Sequence, residues 1–397
     1  MSEDQKSDSG SIISTVRSGG ILSLSRTIAL GGSVTVGLGV FVYLGFALDV
    51  AGTRTPLAYG MTVLIFMPVV LAYAERALAI PSGEGLLRLG RSDDRVWMAY
   101  ADDWLALGGF AGLIGLLGWG VALHVNLLLG RLFGLNLPGS FLAICAIALI
   151  AINRVFGIRG SLRMRMRLIY ISVPLLILVV GIGWLSAENL PSVRFSLRIP
   201  GDTAGAIALL SGLLWGLGLI LDQRDQVRSP SRNLTPALFI ALLLGSISGL
   251  LASMMVLRYP QTGSAERLPL AAITAQSSPV VEVLYIIIGL VICLVALDRS
   301  VVSGLRLVGA MMAQGQIPDH LQIGQRTINL NRLLIVTAIS TLPVLVLTFE
   351  TLVGITGMFF LLTTILVFSV DLLKPRSRLP DHRGLKLPFH PLFPSLA

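Results

Sequence analysis

The chain has 397 residues, 54% of them hydrophobic and 13% charged, with a mean hydropathy of +0.83. Soluble domains carry about 25% charged residues, so the composition excludes a soluble globular protein and points to an all-α membrane protein. A net charge of +9 would suit a nucleic-acid binder, but the placement of the basic residues argues for topology instead.

Crossing a ~30 Å hydrocarbon core takes about 17–25 apolar residues in a helix. Such runs are expected near 28–48, 57–80, 103–129, 139–153, 168–186, 203–222, 235–257, 279–313, 333–348 and 351–371, about ten transmembrane helices. Of the 30 Lys and Arg, 22 fall in the stretches before the first span, after each even-numbered span and after the last, and 6 in the intervening connections. Arg299 and Arg306 sit inside the eighth span. This is the positive-inside asymmetry, and it predicts a multi-pass protein of the cell membrane with both termini cytoplasmic. Residues 1–18, polar and serine-rich, are expected to form a disordered cytoplasmic tail. A ten-helix domain follows over 19–374, with halves at about 28–186 and 203–371, and then a cytoplasmic proline-rich tail over 375–397. The first apolar run is broken by glycine and belongs to the membrane domain, so no cleavable signal peptide is expected.

The first span is crowded with Gly31, Gly32, Gly37, Gly39 and Gly45. Glycine in a helix interior costs roughly 1 kcal/mol relative to alanine. The cluster therefore either loosens the helix or lets a neighbour approach its backbone. Freed backbone groups survive in a bilayer only where protein or a water-filled cavity satisfies them. Close helix packing through small residues is the competing reading.

The second span ends in Ala72-Tyr73-Ala74-Glu75-Arg76, followed by the glycine turn Pro81-Ser82-Gly83-Glu84-Gly85. Glu75, beside Arg76, reads as an ion-pair or helix-end residue rather than a proton carrier. The third span repeats glycine from Gly108 to Gly120, a spacing for close packing, and His124 near its end reads as a packing residue. Arg159, Arg163, Arg165 and Arg167 between spans four and five are explained by topology. Cys145 and Cys293 lie in apolar spans, so no disulfide is indicated, and the four histidines lack ligand spacing. No metal or other cofactor is expected.

The sixth span carries Gly212, Gly216 and Gly218 around Trp215, which is too deep for an interfacial belt. An aromatic beside a glycine break suits a gate over a substrate. The breaks near Gly37 and Gly216 are about 180 residues apart, and the span starts of the two halves repeat at a similar offset. Five helices separate the paired starts, so the halves run in opposite directions: a five-plus-five inverted repeat with helices 1 and 6 broken. Interrupted helices at matching positions of inverted halves mark a transporter's binding site. On this ground the glycines read as hinges rather than packing devices. The eighth span holds Asp298, Arg299, Ser300 and Ser303, charges that are costly unless paired or wet. They read either as a coupling site for a proton or cation or as a mutually satisfying polar cluster.

Several segments together resemble the amino acid–polyamine–organocation (APC) superfamily of transporters. Gly37-Leu38-Gly39-Val40-Phe41 is similar to its first-helix Gly-x-Gly-Ile-Phe, and Ala72 to Gly85 to its Tyr-Ala-Glu-Leu … Pro-x-Ala-Gly-Gly. Asp225 to Leu234 resembles Glu-Glu-Val-Lys-Asn-Pro-x-Arg-Asn-Leu, and Ser300 to Pro318 the family's eighth-helix exit. Leu387 to Pro394 is similar to the proline-rich linker after helix ten. The chain departs from the pattern at Asp225-Gln226, at Ser229 and at Asp298-Arg299, and Ser172 stands where some proton-coupled relatives carry lysine.

The resemblance implies the leucine-transporter-type fold, alternating access and a small amino acid or related amine as substrate. It implies that backbone around Val36, Gly37, Leu38 and Gly39 holds the substrate carboxylate, as helix N-termini bind anions. Carbonyls around Trp215, Gly216, Leu217 and Gly218 would hold the ammonium. A proton or cation gradient would supply the energy by symport through Asp298, Arg299, Ser300 and Ser303, since no ATP motif is present. Two alternatives stay open: an inorganic-ion (cation–chloride type) transporter of the same fold, and a ligand-binding receptor subunit that does not transport. No Ser/His/Asp set, metal spacing or phosphate loop points to an enzyme.

Overall fold

In a computed structural model of the chain, the described residues are 22–79, 96–156, 162–186, 201–259, 267–317 and 328–373. The expected tails at 1–18 and 375–397, the glycine turn at 81–85 and the proline-rich linker lie outside them. The described chain is almost wholly helical, without a β-strand among those residues. Helices suit a bilayer because each satisfies its own backbone polar groups.

In chain order the helices are α1 (Leu24–Phe41), α2 (Tyr43–Ala51), α3 (Thr55–Ala79), α4 (Val96–Phe133), α5 (Gly139–Val155) and α6 (Leu162–Ser186). They continue with α7 (Gly201–Leu210), α8 (Trp215–Asp222), α9 (Pro230–Val256), α10 (Pro269–Ser277), α11 (Pro279–Ala313), α12 (Ile328–Val346) and α13 (Phe349–Leu373). Among the described residues, seven helical stretches are long and apolar enough to cross a membrane, and three shorter apolar helices stand at Gly139–Val155, Ile169–Ile182 and Leu330–Val346. α10 has no counterpart among the expected spans. It starts on Pro269, whose missing N–H costs nothing at a helix start, and at 9 residues it is too short to cross.

α1 packs along α9 and α3 along α7, so the first helix of each half meets the second helix of the other. These reciprocal pairs are what an inverted repeat requires. They gather α1, α2, α3, α7, α8 and α9 into one group, while α4, α5, α11 and α12 pack mainly on one another as a second. α13 lies against α4 and the connection between α7 and α8.

The first and sixth spans are both interrupted, but not at the expected glycines. α1 runs through Gly37 and Gly39 and ends at Phe41, and Val42, with φ −120° and ψ −55°, breaks the path before α2. Between α7 and α8 the chain tightens into a 3-10 turn at Ser211–Leu214, and Gly216 and Gly218 are helical. The Ser211 hydroxyl donates to its own Ala208 carbonyl at 2.6 Å, a bond that competes with the helical ladder. Mid-helix 3-10 turns often mark hinges.

The glycines instead provide close approach. A methyl group on Gly31 would come within 3.2 Å of the Gly216 carbonyl, and one on Gly216 within 3.0 Å of the Thr35 amide. Gly39 faces the Gly245 carbonyl of α9 in the same way, at 3.0 Å. The Thr35 hydroxyl then donates to the Ala241 carbonyl at 2.8 Å. Packing through small residues accounts for Gly31, Gly39 and Gly216.

Candidate functional site

A cavity of about 350 Å³ lies between α3, α4, α8, α11 and α13. Its deep end is aromatic: Tyr73, Phe110, Trp215 and Phe360, with Val69, Val70, Leu217, Leu221 and Leu238 along the walls. Its rim is charged, with Asp103, Asp222, Arg224, Asp225 and Arg306. Asp222, Arg224 and Asp225 lie at the end of α8 and in the turn after it, Asp103 in the second turn of α4 and Arg306 within α11, and Asp225 is exposed.

Trp215 opens α8 directly after the 3-10 turn, which aims its indole across to α4 and α13. The indole Nε1 donates to the Thr356 carbonyl at 3.0 Å. Phe110 and Phe360 lie 5.2 and 5.5 Å away, centroid to centroid. Gly109 of α4 leaves the room the ring occupies, since a methyl group there would overlap it. Trp215 is therefore a fixed wall between the cavity and the interrupted region.

Above that wall the two interruptions meet. Tyr43, the first residue of α2, is fully buried with its hydroxyl against Gly212 of the 3-10 turn. That hydroxyl has no hydrogen-bond partner. Further along, Trp119 stacks on Phe349 at 5.1 Å and Phe46 meets Phe349 edge-on at 5.2 Å. The Arg267 guanidinium lies over both Trp119 and Phe349, at 5.9 and 5.7 Å. Arg267 also pairs with Glu350 at 3.1 Å. At that same end a shallow depression of about 770 Å³ is lined by Asn126, Arg131, Arg267 and Glu282, with Arg131 paired to Glu282 at 2.8 Å. The aromatic and ionic layer separates this depression from the interruptions.

The residue types suit transport of a small molecule with an apolar part and charged ends, and comparison with known proteins settles the class. The sequence profile described as "Amino acid permease" matches residues 22–394. The chain belongs to the amino acid permease family. The permease is thus a multi-pass membrane transporter of amino acids or related substrates, not an enzyme. It is 25% identical over 313 residues to the L-methionine/branched-chain amino acid exporter YjeH of Escherichia coli (strain K12), covering 75% of this chain and 71% of that one. Among solved structures it is similar to MhsT in complex with L-phenylalanine, with 18% identity, a TM-score of 0.60 and 88% of each chain covered. It is also similar to a manganese transporter of Eremococcus coleocola, with 14% identity, a TM-score of 0.59, and 91% of this chain and 82% of that one covered. These likenesses establish the leucine-transporter-type fold.

Of the expected substrate residues, Trp215, Leu217 and Gly218 line the permease's cavity. Gly216 faces α1 instead. Val36, Gly37, Leu38 and Gly39 are buried in unbroken helix away from the cavity. The Gly39 carbonyl is taken by the Tyr59 hydroxyl at 2.5 Å. The carboxylate cradle expected at these four residues is therefore not formed by freed backbone, because the break lies further on, at Val42.

The expected coupling residues divide. Asp298 is ion-paired with Arg154 of α5 and stands apart from the cavity. Arg299 also lies off the cavity. The Ser300 hydroxyl donates to its own Ala296 carbonyl at 2.9 Å. Ser303 reaches the site: its hydroxyl donates to Asp222 Oδ2 at 2.8 Å, and Arg306 sits 3.7 Å from the same oxygen. Sequence reasoning missed Asp103, Phe110, Asp222 and Phe360. Asp222 had one signal, a carboxylate closing an otherwise apolar span, and Asp103 another, an acidic pair at a span start. The two phenylalanines had none.

Proposed function

We propose that the permease is a secondary active transporter of neutral amino acids with apolar side chains, in the cell membrane, with both termini cytoplasmic and the cavity open to the cytoplasm. The observation that carries this reading is the cavity itself: an aromatic and aliphatic interior under a rim that offers both signs of charge. An apolar side chain is stabilised by about 25 cal/mol per Å² removed from water, and the interior supplies such surface at Trp215, Phe110 and Phe360. The ammonium and carboxylate of a zwitterion find opposite charges in Asp222 and Arg306 on the rim. We assign Trp215, Leu217 and Gly218 to the substrate side chain, and Val36 to Gly39 to holding α1 against its neighbours beside the site. Ser303 acts on the site through Asp222. The similarity to a methionine and branched-chain amino acid exporter and to MhsT with bound L-phenylalanine supports the same substrate class. We assign the permease's energy to a proton or cation gradient, which an alternating-access fold can harness. The direction of net movement is then set by the gradients.

Purified permease in proteoliposomes loaded with unlabelled substrate should exchange it for labelled methionine, leucine or phenylalanine, and discriminate against lysine and glutamate. Saturable binding of these amino acids without any exchange would favour a receptor subunit. Exchange of lysine or glutamate in preference to leucine would overturn the assignment of the cavity.

A further inference from the structure

The geometry points to the carboxyl group of Asp102 as the site that takes up and releases the coupling proton, an inference that rests on the transport reading above. Asp102 lies in the second turn of α4 and is fully buried. Among the described residues, neither of its carboxylate oxygens accepts a hydrogen bond. A buried carboxylate without such bonds is costly as an anion.

The charged groups that face it, among the described residues, are Arg76 near the end of α3 and Asp103 beside it on α4. Both are buried as well. Asp103 Oδ2 accepts from the Gln316 side chain at 2.6 Å, in the segment that leaves α11. With both carboxylates ionised, one guanidinium among the described residues would face two negative charges, and a proton on Asp102 would remove one of the two. The step is minimal: an O–H bond forms on the Asp102 carboxylate as a proton leaves water, and the same bond breaks on release. Asp103 lines the cavity rim, so water in the cavity comes within one residue of Asp102.

Arg76 and Asp102 belong to different groups of helices: α3 packs with α7 and α9, and α4 with α5 and α11. When one group rocks against the other, the separation of Arg76 from Asp102 changes. Their Coulomb interaction changes inversely with that separation. Approach of Arg76 favours the carboxylate, and withdrawal favours the protonated acid. Each conformation therefore has its own proton affinity, which is what coupling by linkage requires. Asp298 lacks this property. Its partner Arg154 sits on α5, in the same group as α11, so rocking leaves that pair unchanged.

The test is Asp102→Asn, nearly the same shape without a titrating group, in proteoliposomes. It is expected to keep counterflow of labelled leucine and to lose accumulation driven by an imposed pH gradient, so that internal leucine no longer rises above external. Wild-type accumulation in this variant overturns the proposal, as does wild-type accumulation driven by a sodium gradient alone. Absence of counterflow in the wild type counts against the transport reading instead. The proton site is then decided by infrared spectroscopy of the protein in lipid nanodiscs at neutral pH. The protonated-carboxyl band is expected to shrink in Asp102→Asn, and an undiminished band overturns the proposal. Arg76→Gln, which removes the facing cation, is expected to move the pH midpoint of that band upward. An unmoved midpoint overturns the role of Arg76, and this variant decides the matter should Asp102→Asn fail to fold.

Discussion

At one end of the bundle Arg267 bridges to Glu350 and lies over the rings of Trp119 and Phe349, while at the other Asp222, Arg224 and Arg306 stand around the rim of a cavity. The closed end is built from large rings in contact with one another, and the open end from charged side chains around the cavity. Each aromatic contact there adds about 0.5–1.5 kcal/mol beyond the burial of its rings. The exposed ion pair adds about 0–1 kcal/mol. The contrast teaches that the closed end is held by a few side chains, while charge lines the open one.

Three substitutions probe that contrast. The largest effect belongs to Trp215→Ala, which removes the wall between the cavity and the interrupted helices. Truncating a buried tryptophan costs about 3–5 kcal/mol. Thermal unfolding in detergent should show that loss, together with loss of leucine-induced stabilisation, and a Tm close to wild type would break the assignment of Trp215 as a fixed wall. Next comes Gly109→Ala, whose added methyl overlaps the indole. Overpacking of this kind costs about 1–3 kcal/mol, and it should push Trp215 toward the cavity and depress counterflow more than stability. Full counterflow would show that the ring has room to move. The smallest effect is expected from Arg267→Ala at the closed end. A shift of about 1 kcal/mol in the balance between conformations corresponds to a roughly five-fold change in population. A cysteine placed at Ser211, with Cys145 and Cys293 replaced by serine, should then react several-fold faster with an impermeant thiol reagent added from the closed side. An unchanged rate would mean that the aromatic layer alone holds this end shut.

Much of this architecture was legible in the residues before any coordinates. Composition and run length announced a helical membrane protein, and the matching interruptions of spans one and six announced the inverted repeat. The position of the breaks was less legible. Gly37 and Gly216 look like weak points, yet a glycine weakens a helix only where nothing packs against it. Here Gly37 lies against Ile292 and Ala296 of α11 and Leu117 of α4, and Gly216 against Gly31 and Thr35 of α1. The breaks fell instead at Val42 and at Ser211–Leu214, the latter helped by the Ser211 hydroxyl, which donates back to the Ala208 carbonyl. The charges of the eighth span left two readings open for a related reason. Asp298 is conspicuous along the chain, but its partner Arg154 is 144 residues away and the spacing of residues cannot reveal such a pairing.

Membrane insertion, the helical class and the two-fold internal repeat follow from local properties, because hydropathy and period act on neighbouring residues wherever the chain finally goes. Which carboxylates are satisfied, which glycines are filled and where an aromatic ring comes to rest depend on residues far apart in the chain. Trp215 is a cavity wall because Gly109 and Thr356 meet it. Asp102 stands without a hydrogen bond because, among the described residues, no donor from a neighbouring helix reaches it. Those outcomes are products of packing between helices, and only the assembled bundle decides them.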